Sequence, residues 1–173
     1  MDLQAIIRDV PDFPKKGIVF KDITTLLKNG PAFKQALEQM LAPYKDAGVD
    51  VVVGAESRGF IFGAPLAAML GVGFVPARKP GKLPAVTIGR SYALEYGTDT
   101  IEVHKDAILP GQRVLLVDDL LATGGTALAM AQLVEDAGAT VVGLSFLIEL
   151  SFLPGRAKLA PRPVSSLISY ASE

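Results

Sequence analysis

Cysteine is absent from the 173 residues, which excludes disulfides, thiolate metal sites, iron–sulfur clusters and cysteine nucleophiles together. The single histidine, His104, leaves no material for a His-rich metal site or a Ser–His relay, and its alternating surroundings read as structural. Tryptophan is also missing. Aromatics make up 7% of a chain that is half hydrophobic, so the core has to be built from Val, Leu, Ile and Ala, as buried parallel sheets are. Neither sign of charge prevails, because 17 Lys and Arg against 18 Asp and Glu give a net charge of -1. That removes the footprint of a general nucleic-acid binder, and any small polyanion must meet a local basic cluster. Met1 to Ala5 has neither the basic nor the apolar region of a signal peptide, which points to the cytoplasm. A chain of this length forms one domain, residues 1–173, and needs no disulfide or metal to stabilise its core.

The longest stretch without charge is Gly59–Ala77, flanked by Arg58 and Arg78. Its four glycines and two prolines, and the Gly71-Val72-Gly73 turn inside it, predict a buried helix followed by a buried strand rather than a membrane span. Elsewhere, Pro11–Gly17 reads as an irregular lead-in, Pro31–Ala47 as a helix stopped at Gly48, and Thr126–Ala137 as another helix. Val49–Val53, Arg113–Val117 and Thr140–Ile148 are β-branched or aliphatic runs. Strands alternating with helices in this way predict an α/β fold, a mostly parallel central sheet flanked by helices. Two segments break the alternation. Thr87–Tyr96 and Thr100–Lys105, separated by Gly97-Thr98-Asp99, predict a hairpin that leaves the sheet, and Arg156–Glu173 reads as a small cap.

Val117-Asp118-Asp119-Leu120-Leu121-Ala122-Thr123-Gly124-Gly125-Thr126 carries the chemistry. An apolar strand delivers two carboxylates near its end, and a Gly-Gly turn then opens a helix. Backbone N–H groups, two threonine hydroxyls and a helix N-terminus suit a phosphate. The carboxylates suit vicinal hydroxyls or a divalent cation beside it. A phosphorylated sugar has both parts, although the residues alone also allow a solvated Asp-Asp turn with an ordinary helix cap. The lysine of the P-loop and the spacing of the dinucleotide fingerprint are both missing.

This loop resembles that of the type I phosphoribosyltransferases. Phe13-Pro14 with Gly17–Asp22, Glu56-Ser57-Arg58-Gly59-Phe60, Arg78–Pro84, Leu94-Glu95-Tyr96-Gly97 and Lys158-Leu159-Ala160-Pro161 follow in the order and approximate spacing of the members that act on adenine. The resemblance implies transfer of the phosphoribosyl group from phosphoribosyl pyrophosphate to adenine, giving AMP and pyrophosphate, with Mg²⁺ carried on the pyrophosphate. Asp118 and Asp119 would hold the ribose hydroxyls, and Ala122, Thr123, Gly124, Gly125 and Thr126 the 5'-phosphate. Arg58, Arg78, Lys79 and Lys82 would meet the pyrophosphate, partly across a homodimer. The backbone of Val19, Phe20 and Lys21 would read the adenine edge, with Phe20 and Leu120 on its faces. Glu95, with Tyr96 beside it, would act from a flap of about residues 80–108, and residues 1–30 and 150–173 would form a hood over the base. A phosphoribosyltransferase for another purine, or an inactive regulator of the same fold, remain open alternatives. Lys16 stands where the family commonly has a second proline.

Overall fold

The structure, a computed structural model, describes residues 1–94 and 96–172. Its centre is a five-stranded sheet made of β3 (Val51–Ala55), β4 (Gly73–Ala77), β7 (Arg113–Leu121), β8 (Thr140–Leu150) and β9 (Val164–Tyr170). The strand order is β4-β3-β7-β8-β9, and every pairing is parallel. Alternation along each strand explains the uninterrupted apolar runs. Val53, Val114, Leu116 and Phe146 face one core with helix α4 (Gly125–Asp136), while Val52, Leu115, Val117 and Leu147 face a second core. Against that second core lie α2 (Gly30–Leu41) and α3 (Arg58–Leu70). Both faces of the sheet are covered, so each strand is hydrophobic on both sides.

Local signals place the helix ends. The Asn29 side chain accepts from Ala32 N at 3.2 Å to cap α2, and Pro43 halts the α-helix, which tightens into a 3₁₀ turn over Ala42–Tyr44. The charge-free stretch divides as expected: α3 closes at Gly71, whose φ of +70° gives the left-handed C-terminal turn, and β4 follows. Among the described residues, no helix is long and apolar enough to cross a membrane.

Two antiparallel pairs stand outside the sheet. β1 (Arg8–Pro11) pairs with β2 (Val19–Asp22), after which a short helix α1 (Thr24–Leu27) leads into α2. β5 (Thr87–Ala93) pairs with β6 (Thr98–His104). β6 already begins at Thr98, earlier than expected, and Leu94 N donates to Gly97 O at 2.9 Å across the hairpin. His104 has a structural contact, accepting from Ala85 N at 3.4 Å.

Two expectations need correction. The strand predicted to end at Val117 continues to Leu121, because β8 goes on pairing with it as far as Leu121↔Glu149. Val164–Tyr170 is not a separate cap; after α5 (Gly155–Leu159) it returns to the sheet as the edge strand β9. Alternating residues at a sheet edge look the same in sequence as those of a detached cap, and only the pairing with β8 distinguishes them.

Candidate active site

The chain leaves β3 toward β4 on one side, and β7, β8 and β9 extend to the other. The crevice between β3 and β7 is therefore the switch point at which open α/β sheets bind ligands. Asp118 and Asp119 lie there on β7, opposite Glu56-Ser57-Arg58 at the end of β3.

The two carboxylates differ in their surroundings. Asp119 is 7% exposed and pairs with Arg58 Nε at 2.6 Å. Asp118 Oδ1 accepts from Asp119 N at 2.8 Å. Burial, reinforced by the neighbouring Asp119 charge, pushes the Asp118 carboxyl well above the usual carboxylate range, with Arg58 pulling the other way. Gly59 makes this arrangement possible. A Cβ there would come within 2.9 Å of Asp118 Oδ1 and 3.0 Å of Val117 O, so α3 can begin against β7 only without a side chain at that position.

Beyond Leu121 the chain turns through Ala122-Thr123-Gly124 into α4. Gly124 adopts φ +80°, and no side chain caps the first turn, so its N–H groups face a cradle lined by Ala122 to Thr126. On the opposite side of Asp119, a narrow slot is walled by Val19, Phe20, Leu120, Ile148 and Leu150. Phe20 packs edge-on against Phe13 at 5.2 Å, and the Arg58 guanidinium lies 5.6 Å from its ring centre. The Lys21 side chain turns away to Asp9 at 2.9 Å and lies 4.3 Å from the Tyr170 ring centre, tying β2 to the end of β9.

Between cradle and slot opens a cleft of about 570 Å³. Arg78, Lys79 and Lys82 gather at its rim as one loop, but they are not free cations. Glu56 Oε2 pairs with Lys82 at 3.3 Å and Arg78 at 3.8 Å, Lys79 N donates to Glu56 Oε1, and Lys79 Nζ pairs with Asp99 at 2.8 Å. Desolvation pushes the Glu56 carboxyl up, but the hydrogen bonds from Lys79 N and Lys82 and the charges of Lys82 and Arg78 together outweigh it and hold its pKa below the ordinary value. Arg58 lines the same cleft as Glu56 and Lys79, with its Nε paired to Asp119 and its side chain 44% exposed.

From the β5–β6 hairpin, the Tyr92 hydroxyl accepts from Thr126 Oγ1 at 3.0 Å, and its ring lies between the cradle and the cleft. Tyr96 points outward, 84% exposed. Glu95 lies outside the described residues. The structure thus brings together Asp118, Asp119, Arg58, Phe20, Leu120 and the Ala122–Thr126 loop, with the basic loop at the rim and Tyr96 apart.

Sequence reasoning missed Glu56, Tyr92, Asp99, Ile148 and Leu150. Glu56 stands within a motif that drew notice, but nothing in its spacing reveals that it reaches Lys82, 26 residues further on. Ile148 and Leu150 look like any core strand residues, and only the fold turns them toward Phe20.

The family model for the phosphoribosyl transferase domain matches residues 24–161. Over 170 residues the chain is 59% identical to the adenine phosphoribosyltransferase of Clostridium perfringens (strain SM101 / Type A), covering 98% of this chain and 99% of that protein. Among solved structures it is similar to the adenine phosphoribosyltransferase of Thermoanaerobacter pseudethanolicus, with a TM-score of 0.93, 56% identity and 98% of each chain covered. The adenine phosphoribosyltransferase of Saccharomyces cerevisiae, complexed with D-2,5-dideoxy-2,5-imino-altritol 1,6-bisphosphate and adenine, gives a TM-score of 0.90 at 42% identity over 96% of each chain.

Proposed function

The chain belongs to the phosphoribosyltransferase family, and on that footing we propose that it transfers the 5-phosphoribosyl group of phosphoribosyl pyrophosphate to adenine, giving AMP and pyrophosphate in purine salvage. One observation carries this reading: an apolar slot, a cleft with a basic rim and a helix-terminal cradle all share the segment Asp118-Asp119-Leu120 or its immediate neighbours. A flat base, a diphosphate and a terminal phosphate joined through one ribose need those three environments in that adjacency.

In this assignment the slot takes adenine, with Phe20 and Leu120 on its faces and the backbone of Val19, Phe20 and Lys21 reading its polar edge. The cradle of Ala122, Thr123, Gly124, Gly125 and Thr126 takes the 5'-phosphate through N–H and hydroxyl donors. Arg78, Lys79 and Lys82 take the pyrophosphate, which displaces Glu56 and Asp99 as their partners. Arg78 Nε is, among the described residues, a buried side-chain nitrogen without a hydrogen-bond partner, which supports an anion there. Arg58, whose Nε holds Asp119 and whose guanidinium lies over Phe20, lines the same cleft and turns its remaining N–H groups to the pyrophosphate.

During transfer the bond from C1 of the ribose to pyrophosphate breaks with its electron pair on the leaving oxygen, and a ring nitrogen of adenine supplies the pair for the new bond. Positive charge develops on the sugar. Asp118 and Asp119 fix the ribose hydroxyls and place negative potential beside it. Glu95 takes part from the hairpin as the base sheds its proton. Closure of the flap, residues 80–108, keeps water from the cationic sugar, and residues 1–30 cover the base against the ends of β8 and β9.

Mg²⁺ enters as part of the substrate, on the oxygens of the pyrophosphate and ribose. The outer face of α3 exposes Ile61, Ala64, Ala68 and Met69 in succession. That apolar face supports a homodimer, which would carry a basic loop to the neighbouring site. The compartment is the cytoplasm. The test is pyrophosphate release from phosphoribosyl pyrophosphate and Mg²⁺ with adenine, hypoxanthine or guanine in parallel. Adenine is expected to be fastest; absence of release with every base, or a clear preference for an oxopurine, overturns the reading.

A further inference from the structure

The cradle rests on a segment with no role so far. Gly155, the first residue of α5, is buried beneath it, and a Cβ there would overlap Ala122 O and lie 2.9 Å from Leu121 Cδ1. From the other side, a Cβ on Gly124 would come within 2.9 Å of Gly155 O and 3.0 Å of Gly155 Cα. The backbones of the cradle and of residue 155 are therefore in direct contact, and a shift in one is passed to the other.

What fixes Gly155 is the residue after it. Arg156 Nε donates to Glu149 Oε1 at 2.8 Å and Nη2 donates to Glu149 Oε2 at 2.5 Å. Arg156 Nη1 also donates to Val164 O at 2.8 Å, and Nη2 to Ser166 Oγ at 3.1 Å. The Ser166 hydroxyl in turn donates to Glu149 Oε2 at 2.5 Å. Glu149 is 5% exposed and sits on β8 directly across from Leu121, the last residue of β7 before the cradle. One bidentate pair thus joins the ends of β7 and β8, the start of β9 and the support under the cradle. Only the carboxylate is buried, since the Arg156 side chain is 49% exposed; burying that charge costs more than apolar packing, but a forked pair fixes orientation in a way that apolar contacts do not.

We propose that Glu149 and Arg156 are positioning residues for the 5'-phosphate cradle, acting through Gly155. The inference rests on the assignment of Ala122–Thr126 to the 5'-phosphate. Loosening the pair lets the cradle N–H donors drift from the phosphate oxygens, weakening ligands that carry that phosphate and leaving free adenine unaffected. Glu149→Gln, Arg156→Lys and Gly155→Ala are compared by calorimetric titration with ribose 5-phosphate and with adenine, by steady-state kinetics and by thermal melting. Each folded variant is expected to bind ribose 5-phosphate about tenfold more weakly and to raise the KM for phosphoribosyl pyrophosphate in step, with kcat and the KM for adenine changed less than about threefold. Glu149→Gln preserves shape and most hydrogen bonds, so it stays folded even if Gly155→Ala does not. A variant that melts lower with the ratio of the two affinities unchanged reveals a merely structural pair and overturns the proposal. If the unaltered protein itself fails to bind ribose 5-phosphate, the cradle assignment falls instead.

Discussion

Gly59→Ala tests whether α3 positions the acidic pair. An ideal Cβ at this residue lies 2.9 Å from Asp118 Oδ1, 3.0 Å from Val117 O and 3.3 Å from Asp118 Cα, against an ordinary contact of 3.4–4 Å. Two of those three atoms belong to the backbone of a central strand held by β3 and β8, so the helix has to move, by about half an ångström. Overpacking of this kind costs about 1–3 kcal/mol. Alanine regains up to about 1 kcal/mol over glycine within a helix, and less in its first turn. The net loss of about 1–2 kcal/mol corresponds, for a chain of this size, to a fall in Tm of about 2–8 °C. The same shift carries the adjacent Arg58 away from Asp119, now 2.6 Å distant, and presses on the Asp118 carboxyl. Misplacement on that scale is expected to reduce kcat/KM by about tenfold to a hundredfold. Differential scanning calorimetry and pyrophosphate-release kinetics measure the two effects. Wild-type values for both Tm and kcat/KM in the alanine variant would refute the packing of α3 on β7 and its link to the acidic pair.

Replacing Asp118 and Asp119 together by Asn is expected to lower kcat by at least about 10²-fold, because the negative potential beside the developing cation is lost. The fold should survive it, since the amides keep the shape and the Arg58 side chain, 44% exposed, turns to water once the buried Asp119 charge is gone; unchanged turnover counts against the ribose assignment. A pH series addresses the β1–β2 hairpin. Hydrogen bonds from Arg8, then from Thr24, hold Asp22 down from the usual 3.8 to about 2. A depressed folded-state value means stabilisation that is fully present above about pH 4 and is lost as pH falls toward 2. The gap in Tm between wild type and Asp22→Asn should therefore close across that interval, and a gap independent of pH contradicts the pairing.

Fold class and candidate site were legible to different depths. The cores alternate along Val51–Ala55 and Val114–Val117, so their runs announced a covered parallel sheet before any pairing was known. The acidic pair and the glycine turn were legible because their chemistry lies in consecutive residues. Boundaries were less so. Leu120 and Leu121 looked like the start of a loop after two aspartates, whereas β8 extends the ladder through both. Val164–Tyr170 carried the alternation of a strand, yet whether it pairs with a cap or with the sheet depends on β8, fourteen or more residues earlier in the chain.

The sequence by itself determined the periodicities, the lack of thiol and imidazole chemistry, the phosphate-suited turn and the basic cluster, since each of these is local or compositional. Tertiary structure alone decided which charges are paired. It set Glu56 among Arg78 and Lys82, Asp99 on Lys79, and Arg58 on Asp119. It also turned Ile148 and Leu150 toward Phe20 and laid Gly155 under Gly124. Contacts between residues far apart in the chain depend on how strands are ordered in the sheet, and strand order arises from the packing of the whole chain rather than from any single stretch of it.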